Sequence, residues 1–168
     1  MNLKFSFFFL TLFCLKVTGQ KLLMDVLPLI DAKVSYKDVL EVPGATKSKL
    51  EEKVVKWFED NNIELMSNKA IDNAHQILTG THSIIALWGP NDFKELHKTV
   101  RFSIRITLRN ERYQYEFSGF TVETPQQLVQ LEIYQMDSKL SKYNKAFYKK
   151  IDTEIIKLID TLKTAMAQ

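Results

Sequence analysis

Residues 99–122, TVRFSIRITLRNERYQYEFSGFTV, decide the fold. Two runs of alternating apolar and polar residues meet at Asn110-Glu111, the pattern of a hairpin whose two faces differ in polarity. Taking those two residues as the turn pairs Leu108 with Tyr113, Ile106 with Tyr115 and Ile104 with Phe117, and lets Phe102 cover Gly119. The opposite face then carries Arg109 against Arg112, Thr107 against Gln114, Arg105 against Glu116 and Ser103 against Ser118. A slip of one residue would mix the two sets, so burial of the apolar face holds the register.

Outward from the hairpin, Lys33–Val42 sets Val34, Tyr36, Leu40 and Val42 on one parity and predicts a half-buried strand ended by Pro43-Gly44. Ser48-Lys49-Leu50-Glu51 has the spacing of a capping box. Leu50, Val54, Trp57 and Phe58 then recur on one helical face until Asp60-Asn61-Asn62. In this reading Glu51 and Glu52 complement the helix dipole. Two further strands are predicted at about 63–67 and 74–87, with Gly80 as a possible bulge and Gly89-Pro90-Asn91-Asp92 as a loop. Residues 123–144 read as irregular, although Val129, Leu131 and Ile133 alternate. Phe147, Ile151, Ile155, Leu158, Leu162 and Met166 predict a long closing helix with Lys157, Asp160 and Lys163 on its wet side.

The N-terminus reads differently. A basic start at Lys4, an apolar run Phe5–Leu15 and the small residues Val17-Thr18-Gly19 form a secretory signal peptide, expected to be cleaved after Gly19. The run is about half of the roughly 20 residues that cross a bilayer, so no membrane span is expected. Leu12 and Phe13 precede Cys14 where a lipoprotein signal has small residues, so no lipid is expected. Residues 20–168 then form a single domain with no cysteine, exported to the periplasm or beyond and stabilised by its packed core. Loss of Lys4 and Lys16 leaves 21 Lys and Arg against 20 Asp and Glu. That near-neutral balance argues against nucleic-acid binding.

The order strand, helix, four strands, helix defines an α+β fold, an antiparallel sheet with two helices packed on one face. With Val39–Gly44, Lys56-Trp57-Phe58, Ala74–Thr81, Val100-Arg101-Phe102 and Arg112–Phe117, the chain resembles a domain family of unknown function found in secreted proteins of Gram-negative bacteria. The resemblance implies a TATA-box-binding-protein-like fold over about residues 30–122 and no catalytic residues. At the hairpin tip the family pattern is a charged residue, Gly, Arg, Tyr; this chain has Asn110-Glu111 before Arg112-Tyr113.

Chemistry is sparse. His75 and His82 are seven apart and point to opposite faces of a continuous strand, so no metal site is expected. No thiol survives processing, no Ser stands in a G-x-S-x-G elbow, and no glycine-rich phosphate loop exists, so neither catalysis nor a cofactor is expected. All four arginines, Arg101, Arg105, Arg109 and Arg112, fall on one face of the hairpin. They are either a solvated surface that deters aggregation, with Glu116 partly neutralising Arg105, or a site for a partner protein or anionic envelope component. The sequence therefore points to a non-catalytic binding module. The alternative is a carrier of a small apolar ligand among Trp57, Phe58, Tyr113, Tyr115 and Phe117, and an enzyme using His75 or His82 is the least supported reading.

Overall fold

A computed structural model describes residues 26–72, 74–87, 97–134 and 144–167. The signal peptide expected at residues 1–19 and the loop expected at 89–92 lie outside them. The strands are β1 (Leu29–Ile30), β2 (Lys33–Val34), β3 (Tyr36–Glu41), β4 (Glu64–Ala70), β5 (Gln76–Leu87), β6 (His97–Arg109), β7 (Arg112–Glu123) and β8 (Leu128–Gln130). Helix α1 spans Lys47–Asp60 and α2 spans Asn144–Ala167. The main sheet is antiparallel in the order β3-β7-β6-β5-β4, with β8 on β7, while β1 and β2 pair separately.

The hairpin pairs as its alternation requires, from Arg109↔Arg112 to Ser103↔Ser118. Beyond Ser103 the register shifts, and Gly119, at φ +68°, supplies the extra residue. That bulge reverses the parity of β7, so Phe120 and Val122 turn inward beside Phe117. Phe102 therefore does not cover Gly119; it stacks on Phe120, with ring centroids 5.2 Å apart.

At the tip, Glu111 holds φ +60°, a backbone region that glycine occupies freely and other residues at a cost. Contacts with the segment leading into α1 stabilise it. Glu111 N–H donates to Ala45 O (2.8 Å), and Val42 N–H donates to Glu111 O (2.7 Å). Gly44 N–H reaches Glu111 Oε1 and Lys47 N–H reaches Asn110 Oδ1, each at 2.9 Å.

Helix α1 starts two residues earlier than the capping-box spacing implied. Its N-cap is Thr46, whose hydroxyl accepts from Lys49 N–H, and no acid lies in its first turn. Glu51 instead takes the side-chain amides of Asn68 (2.7 Å) and Gln76 (3.2 Å), tying the helix to β4 and β5. Leu50, Val54, Trp57 and Phe58 are buried on one stripe, as their spacing requires.

Strand β5 runs against β6 without a register shift; the bulge lies in β4, between Leu65 and Ser67. Gly80 serves close packing instead. A Cβ there would sit 2.8 Å from Ile63 Cγ2 and 2.9 Å from Phe58 Cε2.

The predicted first strand is divided, with Ser35 between β2 and β3 and its N–H donated to Pro28 O. Part of the stretch expected to be irregular forms β8, and Leu131 buries itself with its N–H on Phe120 O. Helix α2 buries Phe147, Tyr148, Ile151, Ile155, Ile159, Leu162 and Met166. Its Lys163 is not wholly on the wet side; the ammonium lies 6.0 Å from the Tyr115 ring centroid. The helices are joined by Trp57 Nε1–H to Thr161 Oγ1 (2.9 Å) and Lys53 Nζ to Met166 O (3.0 Å). Both helices bury their stripes on the face of the sheet that carries Leu78, Ile104, Ile106, Tyr115 and Phe117.

Candidate functional site

Strand pairing fixes what the opposite face displays, because residues directly across an antiparallel pair share a side. One row runs Ser67, Thr79, Arg105, Glu116, Lys37; the next runs Lys69, Ile77, Thr107, Gln114, Val39. A third ends the hairpin with Arg109, Arg112 and Glu41. Among the described residues no helix covers these rows, and all four arginines are exposed while Ile104, Ile106 and Phe117 between them are fully buried.

Arg101 reaches Glu123 at 3.4 Å, an exposed pair worth ~0–1 kcal/mol. Glu116 lies opposite Arg105, as expected, yet forms no ion pair with it. Among the described residues, the side chains of Arg105, Arg109 and Arg112 have neither an ion pair nor a hydrogen bond. Between the charges the face carries the hydroxyls of Ser67, Thr79 and Thr107 together with Gln114, Ile77 and Val39. Where the Gly119 bulge withdraws a side chain, a shallow trough of about 570 Å³ opens, lined by Thr81, Ser83, Arg101, Ser103 and Thr121 among others.

The histidines do not converge. His82 lies toward the core, its ring edge-on to Phe102 at 5.7 Å, and burial holds its pKa below the usual imidazole value. His75 lies at the opposite side of the sheet, its Nδ1 2.7 Å from Asp72 Oδ2. That contact and the backbone amides of Ala74 and His75 hold the Asp72 carboxyl below the usual carboxylate range. Among the described residues no three His, Cys, Asp or Glu side chains are grouped to hold a metal ion.

The interior aromatics pack on one another: Trp57 against Phe58 (5.5 Å) and Phe117 (6.5 Å), and Tyr115 against Phe117 (5.8 Å). Burial pushes the Tyr113 phenol up to about 12. Burial, reinforced by the Tyr36 O–H donated to Asp152 (2.8 Å), also raises the Tyr36 phenol. These rings belong to the core.

The family described as a domain of unknown function (DUF4468) with TBP-like fold matches residues 36–123. The chain belongs to this family. A DUF4468 family protein from Bacteroides ovatus superposes with a TM-score of 0.61 at 12% identity, covering 89% of this chain and 95% of its own. A TBP-like protein from Parabacteroides distasonis superposes at 0.59 with 16% identity, covering 83% and 96%. At such identities the likeness concerns the fold. No curated protein matches. The sheet that places the arginines is thus the DUF4468 sheet, and β3 to β7 lie within the matched residues. Among the described residues no helix is long and apolar enough to cross a membrane.

Sequence reasoning missed Glu41 and Lys37 as members of the arginine face. Their parity on β3 was legible; their neighbours were not, because β3 joins β7 across more than 70 residues of chain.

Proposed function

We propose that this DUF4468 domain is an exported, non-catalytic binding module whose open sheet face meets an acidic partner protein or an anionic envelope component. The observation that carries this reading is that, among the described residues, the side chains of Arg105, Arg109 and Arg112 have no partner and lie beside a weakly paired Arg101 on a face that no helix covers. Guanidinium forks left in water on a rigid sheet suit carboxylates and similar acceptors. The basic start, apolar run and small residues of positions 1–19 support export. A carrier function has less support, since the aromatic side chains that would line its cavity already fill the space between sheet and helices.

The test is binding of fluorescently labelled poly-L-glutamate to the wild type and to the triple variant Arg101→Ser/Arg105→Ser/Arg109→Ser. The expected result is at least a tenfold loss of affinity, with stability within ~1 kcal/mol of wild type because the sites are exposed. Equal affinity overturns the reading. For export, mass spectrometry of the expressed full chain should give a mature protein beginning at Gln20; retention of residues 1–19 contradicts it.

A further inference from the structure

At the end of the open face, where β6 turns into β7, the last pair sets Arg109 directly opposite Arg112. Like charges in that position repel unless something negative lies between them. Continuing the β5–β6 register one residue past Gln76↔Leu108 puts His75 on the other side of Arg109. Its Nδ1 is held by Asp72 at 2.7–2.8 Å, which selects the Nδ1–H tautomer. Nε2 is buried and has no hydrogen-bond partner among the described residues. His75, Arg109 and Arg112 line one cleft of about 550 Å³ together with Glu41 and Glu111. That volume falls in the ordinary range for small-ligand sites, roughly 300–1,000 Å³.

The charges of the wall narrow the ligand. Two guanidiniums face two carboxylates, one of which, Glu111, already accepts the Gly44 N–H. One carboxylate placed between the two forks relieves the arginine pair, its two oxygens matching their planar donors. The cleft is larger than such a group alone.

We propose that this cleft binds a single carboxylate group carried on a larger molecule, with Arg109 and Arg112 taking its oxygens. The inference rests on the reading of the sheet face as an anion-recognising surface and assigns the carboxylate to one end of it. A peptide C-terminus and a uronic acid both offer this chemistry.

The experiment follows arginine Nε–H signals by NMR in the full-length domain. It titrates sodium acetate against sodium chloride, then Ala-Ala-Ala with a free or amidated C-terminus, then glucuronate. Acetate is expected to shift the Arg109 and Arg112 signals and the Glu111 backbone amide saturably, leave Arg105 unmoved, and lose its effect on that amide in Arg109→Gln/Arg112→Gln. The free-acid tripeptide or glucuronate should bind at least tenfold more tightly than acetate, and whichever does so names the source; the amidated peptide should not bind. Equal shifts with chloride, or unchanged saturation of the Glu111 amide in the double variant, overturn the proposal. Equal affinity of all three carboxylates overturns the larger ligand. Poly-L-glutamate added to the same sample separates the two levels. A response at Arg101 and Arg105 with none to acetate sinks the cleft alone, while silence at every arginine sinks the whole face.

Discussion

Replacing Gly80 by Ala should destabilise this domain through a clash between helix and sheet. The added methyl would lie 2.8 Å from Ile63 Cγ2, 2.9 Å from Phe58 Cε2 and 3.0 Å from the carbonyl oxygen of Glu64. None of the three can retreat cheaply: Ile63 and Phe58 are 6% and 1% exposed, and Glu64 is held in its pairing with Thr81. Overpacking of this kind costs ~1–3 kcal/mol. Because Gly80 does not use a left-handed backbone, Ala recovers about 0.4–1 kcal/mol from a stiffer unfolded chain. The net expectation is a loss of about 1–2 kcal/mol, or roughly 2–8 °C in Tm. Urea unfolding followed by far-UV circular dichroism would read it as a lower midpoint at unchanged slope. Ile63→Ala, which removes one clashing methyl, should couple to Gly80→Ala by at least about 0.5 kcal/mol in a double-mutant cycle. Gly119→Ala is the contrast, since its cost of about 1–2 kcal/mol arises from φ +68° with only Ser103 Oγ nearby at 3.7 Å. A Gly80→Ala protein as stable as wild type, or uncoupled from Ile63, would refute the packing argument.

Glu111→Gly relieves the left-handed strain at the hairpin tip, about 1–2 kcal/mol, and loses one exposed hydrogen bond to Gly44 worth ~0.5–1.5 kcal/mol. Urea midpoints should show it neutral to mildly stabilising, and a loss beyond ~1 kcal/mol would contradict this. Thr161→Val leaves the Trp57 indole N–H unpaired between the helices and should cost ~1–3 kcal/mol in the same assay, with no change meaning that the bond is dispensable. His82 has a folded pKa depressed below 6.5 by burial, so the folded state binds fewer protons than the unfolded chain. Its contribution is present above 6.5 and falls away as pH drops toward the folded value. His82→Gln should flatten that segment of a stability-versus-pH curve, and an identical slope in both proteins would count against the shift.

The sequence disclosed what local periodicity encodes. Alternation placed Ile104, Ile106, Tyr113, Tyr115 and Phe117 inward, and helical spacing found the buried stripe of α1. It could not show that Gly119 re-phases β7, because a glycine reads the same whether it lies beneath a ring or makes a bulge. Ser48 matched the capping pattern better than Thr46, yet the contact of the tip with residues 42–47 determines where the helix begins. Of the candidate site, the shared face of the four arginines was readable from parity alone. The neighbours His75 and Glu41 were not, since both arrive through pairings of distant strands.

The proposed function requires the guanidinium groups to stand in water on a face that no described helix covers and to be what an acidic partner would touch. Phenylglyoxal labelling of the folded protein, read by mass spectrometry with and without bound poly-L-glutamate, tests it most directly. Arg101, Arg105, Arg109 and Arg112 should all be modified without denaturant and all be protected by the polymer. Modification of Arg105 only after unfolding, or undiminished labelling of all four in the complex, would contradict it.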